Sequence, residues 1–158
     1  MSIWLNPLLW YYWAPPFVWA VVILALSGDL GAVPTSHSIF KWVVSWFVTL
    51  PPHTLNQLHF KFRKAMHVIC YGVLALLWLR ALMASRPRLL KANIILALVL
   101  CLVVAVTDEG HQHFLTSRTG SLGDVVLDMS GAGFSSLLTA FYWKRRNSLP
   151  ATAPRPYP

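Results

Sequence analysis

Only five residues of this 158-residue chain are acidic, and all of them lie where apolar segments begin or end. They are Asp29, Asp108, Glu109, Asp124 and Asp128. Carboxylates at such positions can transfer protons as general acids and bases, pair with cations, or bind metal ions. Each acid alone could be an ordinary solvated charge at a helix end. That explanation does not account for the lack of acidic residues in the rest of the chain. The pattern therefore predicts one shared polar site.

Asp128 is the acid that the spacing places deepest. Asp124 and Asp128 are four residues apart, so on a helix they stack on one face. At about 1.5 Å per residue, Asp128 lies roughly 10 Å inside the helix that begins near residue 122. An ionisable group at such a depth in a membrane costs about 2.5–3.5 kcal/mol and indicates a functional site. It needs a cation or a proton, and Arg118, Lys64 and the histidines are the available partners. Arg118, folded back from the loop before this helix, is predicted to bridge the two carboxylates.

Polar residues of other types occupy the same segment ends. Lys64, His67 and Tyr71 share one helix face, and Asp108 and Gln112 share another. The candidate catalytic residues, acting as general acids, bases or proton-transfer partners, are Asp108, Glu109, His111, Asp124, Asp128 and His67. The candidate substrate-binding residues are Lys64, Tyr71, Gln112, Arg118 and Asp29.

A divalent metal ion is an alternative occupant of this site, because carboxylate-rich sets suit Mg²⁺, Ca²⁺ or Mn²⁺. A network of salt bridges and hydrogen bonds, with Arg118 holding the acids, explains the same residues and is favoured. No metal ligand is therefore assigned, and the cofactor stays unidentified.

The composition indicates a membrane protein. Hydrophobic residues make up 56% of the chain and charged residues only 11%, whereas a soluble domain carries about 25% charged residues. The net charge of +8 raises the question of nucleic-acid binding. The basic residues, however, lie between apolar runs and near the C-terminus, where they are better explained as topology determinants and lipid-headgroup contacts. No nucleic-acid partner is expected.

Four apolar segments are predicted to span the membrane in an all-α, up-down bundle, over about 10–27, 65–84, 92–109 and 122–143. The helix that contains the second span is also compatible with an earlier start, at Thr54. A cleaved signal peptide is the alternative for the first segment, but no positively charged region precedes it, so an uncleaved anchor is expected. A short amphipathic helix over about 38–50 is expected to lie in the membrane interface. These elements form one domain over residues 1–146, and a proline-rich tail, 147–158, is predicted to be disordered.

An up-down bundle brings all five acids to the same side of the membrane. Eight Lys and Arg residues lie on the side of the termini and five on the side of the acids. This difference predicts that both termini are cytoplasmic and that the acids face outward. The cytoplasmic set is Arg80, Arg86, Arg88, Lys91, Lys144, Arg145, Arg146 and Arg155. The outward set is Lys41, Lys61, Arg63, Lys64 and Arg118.

Three motifs resemble those of the VanZ-like family. The first is Thr107-Asp108-Glu109-Gly110-His111-Gln112, followed by Phe114, Arg118, Asp124, Asp128 and Gly131. The second is Lys64-x-x-His67-x-x-x-Tyr71-x-x-Leu74, and the third is Ser27-Gly28-Asp29 at the end of the first span. The resemblance covers residues 17–143. The family is named for an accessory protein of teicoplanin resistance, and the resemblance implies a small multi-pass protein of the bacterial inner membrane.

Two classes of function fit these observations. One is an enzyme that modifies a membrane lipid or a lipid-linked cell-envelope precursor, whose headgroup enters the polar pocket while its tail stays between the helices. The other is a non-catalytic envelope protein that binds a lipid, a drug or a protein partner. A transporter fits less well, because the chain shows no inverted repeat or broken helix.

Overall fold

A computed structural model describes residues 7–28, 32–113 and 121–148 of the protein. Within these ranges the chain forms five α-helices and no strand. The helices are α1 (Pro7–Leu26), α2 (Val33–Ser45), α3 (Pro52–Ser85), α4 (Leu90–His113) and α5 (Leu122–Ser148). The predicted fold class, an all-α membrane protein with four long helices and one short one, is confirmed.

Three of the described helices are long and apolar enough to cross a membrane, namely Pro52–Ser85, Leu90–Gln112 and Leu122–Asn147. The apolar part of α1, Trp10–Leu26, is shorter. Large apolar side chains cover the outer surfaces of these helices, for example Val103, Phe134 and Leu137. Such a surface is suited to contact with lipid tails, so the chain is an integral membrane protein.

Several helix boundaries differ from those expected. α3 begins at Pro52, two residues before the earlier start that the sequence allowed at Thr54, because Pro51 and Pro52 start a helix readily and the polar first turns after them continue it. α2 begins at Val33 and ends at Ser45, earlier than the predicted 38–50. α5 continues to Ser148, so residues 147 and 148 end a helix, and the remainder of the predicted tail lies outside the described residues.

Two prolines lie inside α1 and not at its start. They are Pro15 and Pro16, and the helix begins at Pro7. Pro16 is buried. Proline within a helix removes main-chain hydrogen bonds, and such positions are tolerated in membrane helices where neighbouring helices cover the freed carbonyl groups.

α3 is the central helix of the bundle, and each of the other four helices packs against it. Its buried face includes Tyr71, Leu74, Trp78 and Leu82. α2 packs against the early turns of α3, where the ring of Phe40 lies 5.2 Å from that of Phe62. The result is a space between α1, α2 and α3 that is not filled by core side chains.

Candidate functional site

The site is positioned by a very close contact between α3 and α5. A Cβ atom added to Gly131 would overlap the main-chain carbonyl of Val68, so the two helix backbones touch there. Small residues permit this approach between membrane helices. The contact lies one turn beyond Asp128 on α5 and one residue beyond His67 on α3, and it therefore brings these two side chains together.

His67 and Asp128 form the buried pair at the centre of the site. His67 Nδ1 lies 2.9 Å from Asp128 Oδ1, and the Asp128 residue is fully buried. The histidine thus supplies the partner that the depth of Asp128 requires. Asp128 Oδ2 has no hydrogen-bond partner among the described residues.

A second pair lies one helical turn toward the starts of both helices. Lys64 of α3 forms an ion pair with Asp124 of α5. This pair is more exposed to solvent than the first. The side chains of Lys64 and Asp124 are 33% and 14% exposed, against 17% and 0% for His67 and Asp128. The two i, i+4 acids predicted from the sequence therefore have different partners and different environments.

The end of α4 contributes two further carboxylates. Asp108 and Glu109 are both buried. Glu109 Oε2 accepts a hydrogen bond of 2.7 Å from the backbone N–H of Ser121, which ties the end of α4 to the start of α5. The Ser27 hydroxyl donates to the main-chain carbonyl of Asp108 over 3.4 Å, which ties α1 to the same place.

Four of these side chains form what we call the polar cluster: His67, Asp108, Glu109 and Asp128. One ligand-type atom from each of them lies within 4.8 Å of all the others. Two further carboxylate oxygens, Asp108 Oδ1 and Glu109 Oε1, are buried and have no hydrogen-bond partner among the described residues. Three carboxylates from two helices therefore converge around one imidazole in a buried space.

A cavity of about 450 Å³ adjoins the polar cluster. Its walls are mostly apolar and come from α1, α2 and α3, including Trp19, Val22, Phe40 and Met66. Its polar part is formed by Arg63, His67, Tyr71, Asp108 and Gln112. The Tyr71 hydroxyl and Gln112 Nε2 are buried without a hydrogen-bond partner in the described part of the chain. The cavity thus combines mostly apolar walls with a few polar residues, two of which carry buried groups without a partner.

Most of the site residues predicted from the sequence meet at this place. His67, Asp108, Glu109 and Asp128 form the polar cluster, Lys64 and Asp124 flank it, and Tyr71 and Gln112 line the cavity. The side chain of His111 is exposed and is not part of the polar cluster. Asp29 and Arg118 lie outside the described residues, so the predicted bridge from Arg118 to Asp128 stays a prediction.

Sequence reasoning missed three contributors. Ser27 was noticed only as part of a motif, Arg63 only as a topology signal, and Ser121 not at all. The backbone N–H of Ser121 precedes the first turn of α5, a position that any residue but proline can fill, so no side-chain signal was available. The sequence predicts a polar pocket, but it gives no sign that α2 supplies part of the cavity wall.

The comparisons with known proteins agree with the motif resemblance. Residues 9–143, most of the chain and the whole polar cluster, match the model of a family described as VanZ/LLP1. No curated protein and no solved structure shows a significant match. The family match confirms the resemblance predicted from the three motifs, and the chain belongs to the VanZ/LLP1 family, that is, to the VanZ-like membrane proteins.

Proposed function

We propose that this protein binds an amphiphilic lipid, with the apolar tail in the cavity between α1, α2 and α3 and the headgroup against the polar cluster. The observation that carries the proposal is the cavity itself, whose walls are apolar and whose one end holds His67, Tyr71, Asp108 and Gln112. Ligand sites of this size commonly combine apolar walls with a few placed polar groups that fix orientation.

The polar groups specify the kind of headgroup. Tyr71 and Gln112 present donors that have no partner among the described residues, and Arg63 adds a positive charge to the cavity lining. Buried donors without acceptors are costly, so a ligand that accepts hydrogen bonds is favoured. A phosphate-containing headgroup meets these requirements, since a guanidinium binds phosphate with matched geometry.

The proposed setting follows from the family and the charge pattern. The site faces outward from the bacterial inner membrane, and the ligand is a lipid-linked precursor of the cell envelope. The His67–Asp128 pair beside the headgroup position is the candidate for proton transfer. A non-catalytic lipid-binding protein would use the same contacts. Chemical conversion of the bound lipid by the purified protein would distinguish an enzyme from such a binding protein.

The test is native mass spectrometry of the full chain released from detergent, with identification of co-purified lipid. Val22→Trp fills the cavity, and we expect it to remove most of the bound lipid. Val21→Trp is the matched control, because Val21 is the adjacent residue of α1, is 65% exposed and is not part of the cavity lining. Equal lipid occupancy in the two variants would contradict the proposal.

A further inference from the structure

We infer that the polar cluster is a binding site for one first-row divalent metal ion, coordinated by His67, Asp108, Glu109 and Asp128. This goes beyond the proposed lipid binding and does not depend on it, because none of the four ligands needs a lipid to reach the ion. The sequence alone favoured a salt-bridge network at these residues. The geometry favours a metal ion for the reasons that follow.

The first reason is the spacing of the ligand atoms. One nitrogen or oxygen atom from each of the four side chains lies within 4.8 Å of the others. Atoms bound to one ion at about 2.0–2.2 Å are about 3–4.4 Å apart. The four ligands are therefore close enough for modest side-chain movements to bring them to a single ion.

The second reason is the unpartnered oxygen on each carboxylate. Asp108 Oδ1, Glu109 Oε1 and Asp128 Oδ2 are buried and have no hydrogen-bond donor among the described residues. The three residues that carry them are 3%, 7% and 0% exposed, respectively. Buried carboxylate oxygens need donors or cations, and a cation held within the polar cluster would serve all three carboxylates.

The third reason is the balance of charge. His67 contacts Asp128, and the Ser121 N–H contacts Glu109, but neither supplies a permanent positive charge. Lys64 is one turn away and is already paired with Asp124. A divalent ion would neutralise two of the three clustered carboxylates, which no described side chain does.

The ligand types indicate which ion would bind. Carboxylate oxygens suit Mg²⁺, Ca²⁺ and Mn²⁺, whereas an imidazole ligand favours first-row transition ions. One imidazole with three carboxylates belongs to both groups, and Mn²⁺ is the ion that satisfies both preferences. Mn²⁺ is also the most convenient probe, since its free form has a strong paramagnetic resonance signal.

The consequence for the lipid site is direct. His67 and Asp108 belong both to the polar cluster and to the cavity lining. An ion held there would present positive charge to a headgroup in the cavity. It would thereby offset the electrostatic repulsion between an anionic headgroup and the three carboxylates. The ion and the headgroup would then be neighbours.

The test is equilibrium binding of Mn²⁺ to the full chain in detergent after removal of metals with a chelator. We expect one Mn²⁺ per chain in the micromolar range, measured by the loss of the free-ion signal and by metal analysis after dialysis. Asp108→Asn and Glu109→Gln should each weaken binding at least tenfold. Asp124→Asn is the matched control, because it removes the same charge one turn away and should change the affinity less than threefold.

Two outcomes would overturn the inference. One is the absence of stoichiometric Mn²⁺ or Zn²⁺ binding to a folded chain at ion concentrations up to 1 mM, roughly the weak end of specific sites. The other is equal weakening by Asp124→Asn and Glu109→Gln, which would indicate diffuse attraction to acidic residues. Val22→Trp changes the cavity and none of the four ligands, so it should keep full Mn²⁺ affinity. Loss of lipid binding and loss of metal binding can therefore be observed independently.

Discussion

Gly131 of α5 lies directly against the main-chain carbonyl of Val68 in α3, with no room for a side chain between the two backbones. Because His67 and Asp128 flank this contact in sequence, the distance between the helices determines whether their side chains can meet. A packing detail of two residues thus controls the geometry of the polar cluster.

The first prediction concerns that contact. Gly131→Ala should destabilise the fold by about 1–3 kcal/mol, the usual cost of overpacking, and should weaken the His67–Asp128 pair by separating the helices. Gly133→Ala is the control, because a Cβ there meets no atom within 4 Å. Reversible unfolding of the two variants in mixed detergent micelles provides the measurement, and equal stabilities would show that the α3–α5 contact is looser than described.

The second prediction concerns the buried pair. His67→Ala leaves a fully buried Asp128 without its partner and should cost about 3–5 kcal/mol, as breaking a buried pair does. Asp128→Asn removes the negative charge and should cost less. In a double-mutant cycle, adding Asp128→Asn to His67→Ala should recover part of the lost stability. Simple additivity of the two changes would mean that the side chains do not interact.

The third prediction separates the two ion pairs by their exposure. Lys64–Asp124 is partly exposed to solvent, so Asp124→Asn should cost at most about 1 kcal/mol. This cost should shrink as salt is raised, because exposed charges are screened. The cost of His67→Ala should be insensitive to salt. Unfolding of both variants at low and high NaCl checks the contrast, and a salt-dependent His67→Ala effect would place that pair in contact with water.

The sequence predicted the members of the site better than their pairing. Helical spacing was enough to place Asp124 with Asp128 and Lys64 with His67 on common faces. It was not enough to show that His67 would be the partner of Asp128, because pairing between helices depends on their crossing and hence on the Gly131–Val68 contact.

The first half of α3 shows a second limit of sequence reasoning. Residues 52–64 include several polar and charged side chains and have no apolar run of spanning length, so hydropathy locates the 65–84 span but leaves the start of its helix open between Thr54 and residue 65. The walls of the cavity show a further limit. Part of them comes from α2, which packs against α3, and neither sequence pattern alone specifies that contact.

The fourth prediction is the orientation of the chain, which the Lys and Arg distribution predicts with both termini in the cytoplasm. Alkaline phosphatase fused after Arg146 should be inactive, whereas a reporter that requires the cytoplasm should be active at the same position. A matched pair of fusions after Trp46, the residue that follows α2, should give the opposite result. Active alkaline phosphatase after Arg146 would place the polar cluster on the cytoplasmic side.

Crosslinking in membranes tests whether the cavity beside the polar cluster holds a lipid tail. Cells would be grown with a photoactivatable fatty acid, the protein irradiated in membranes, and the crosslinked residues identified by mass spectrometry. We predict crosslinks at the cavity residues Val22, Val43 and Met66, and their loss in Val22→Trp with no change at outward-facing positions such as Phe134. Crosslinks confined to the outer surface, or cavity crosslinks that persist in Val22→Trp, would show that the cavity does not hold a lipid tail.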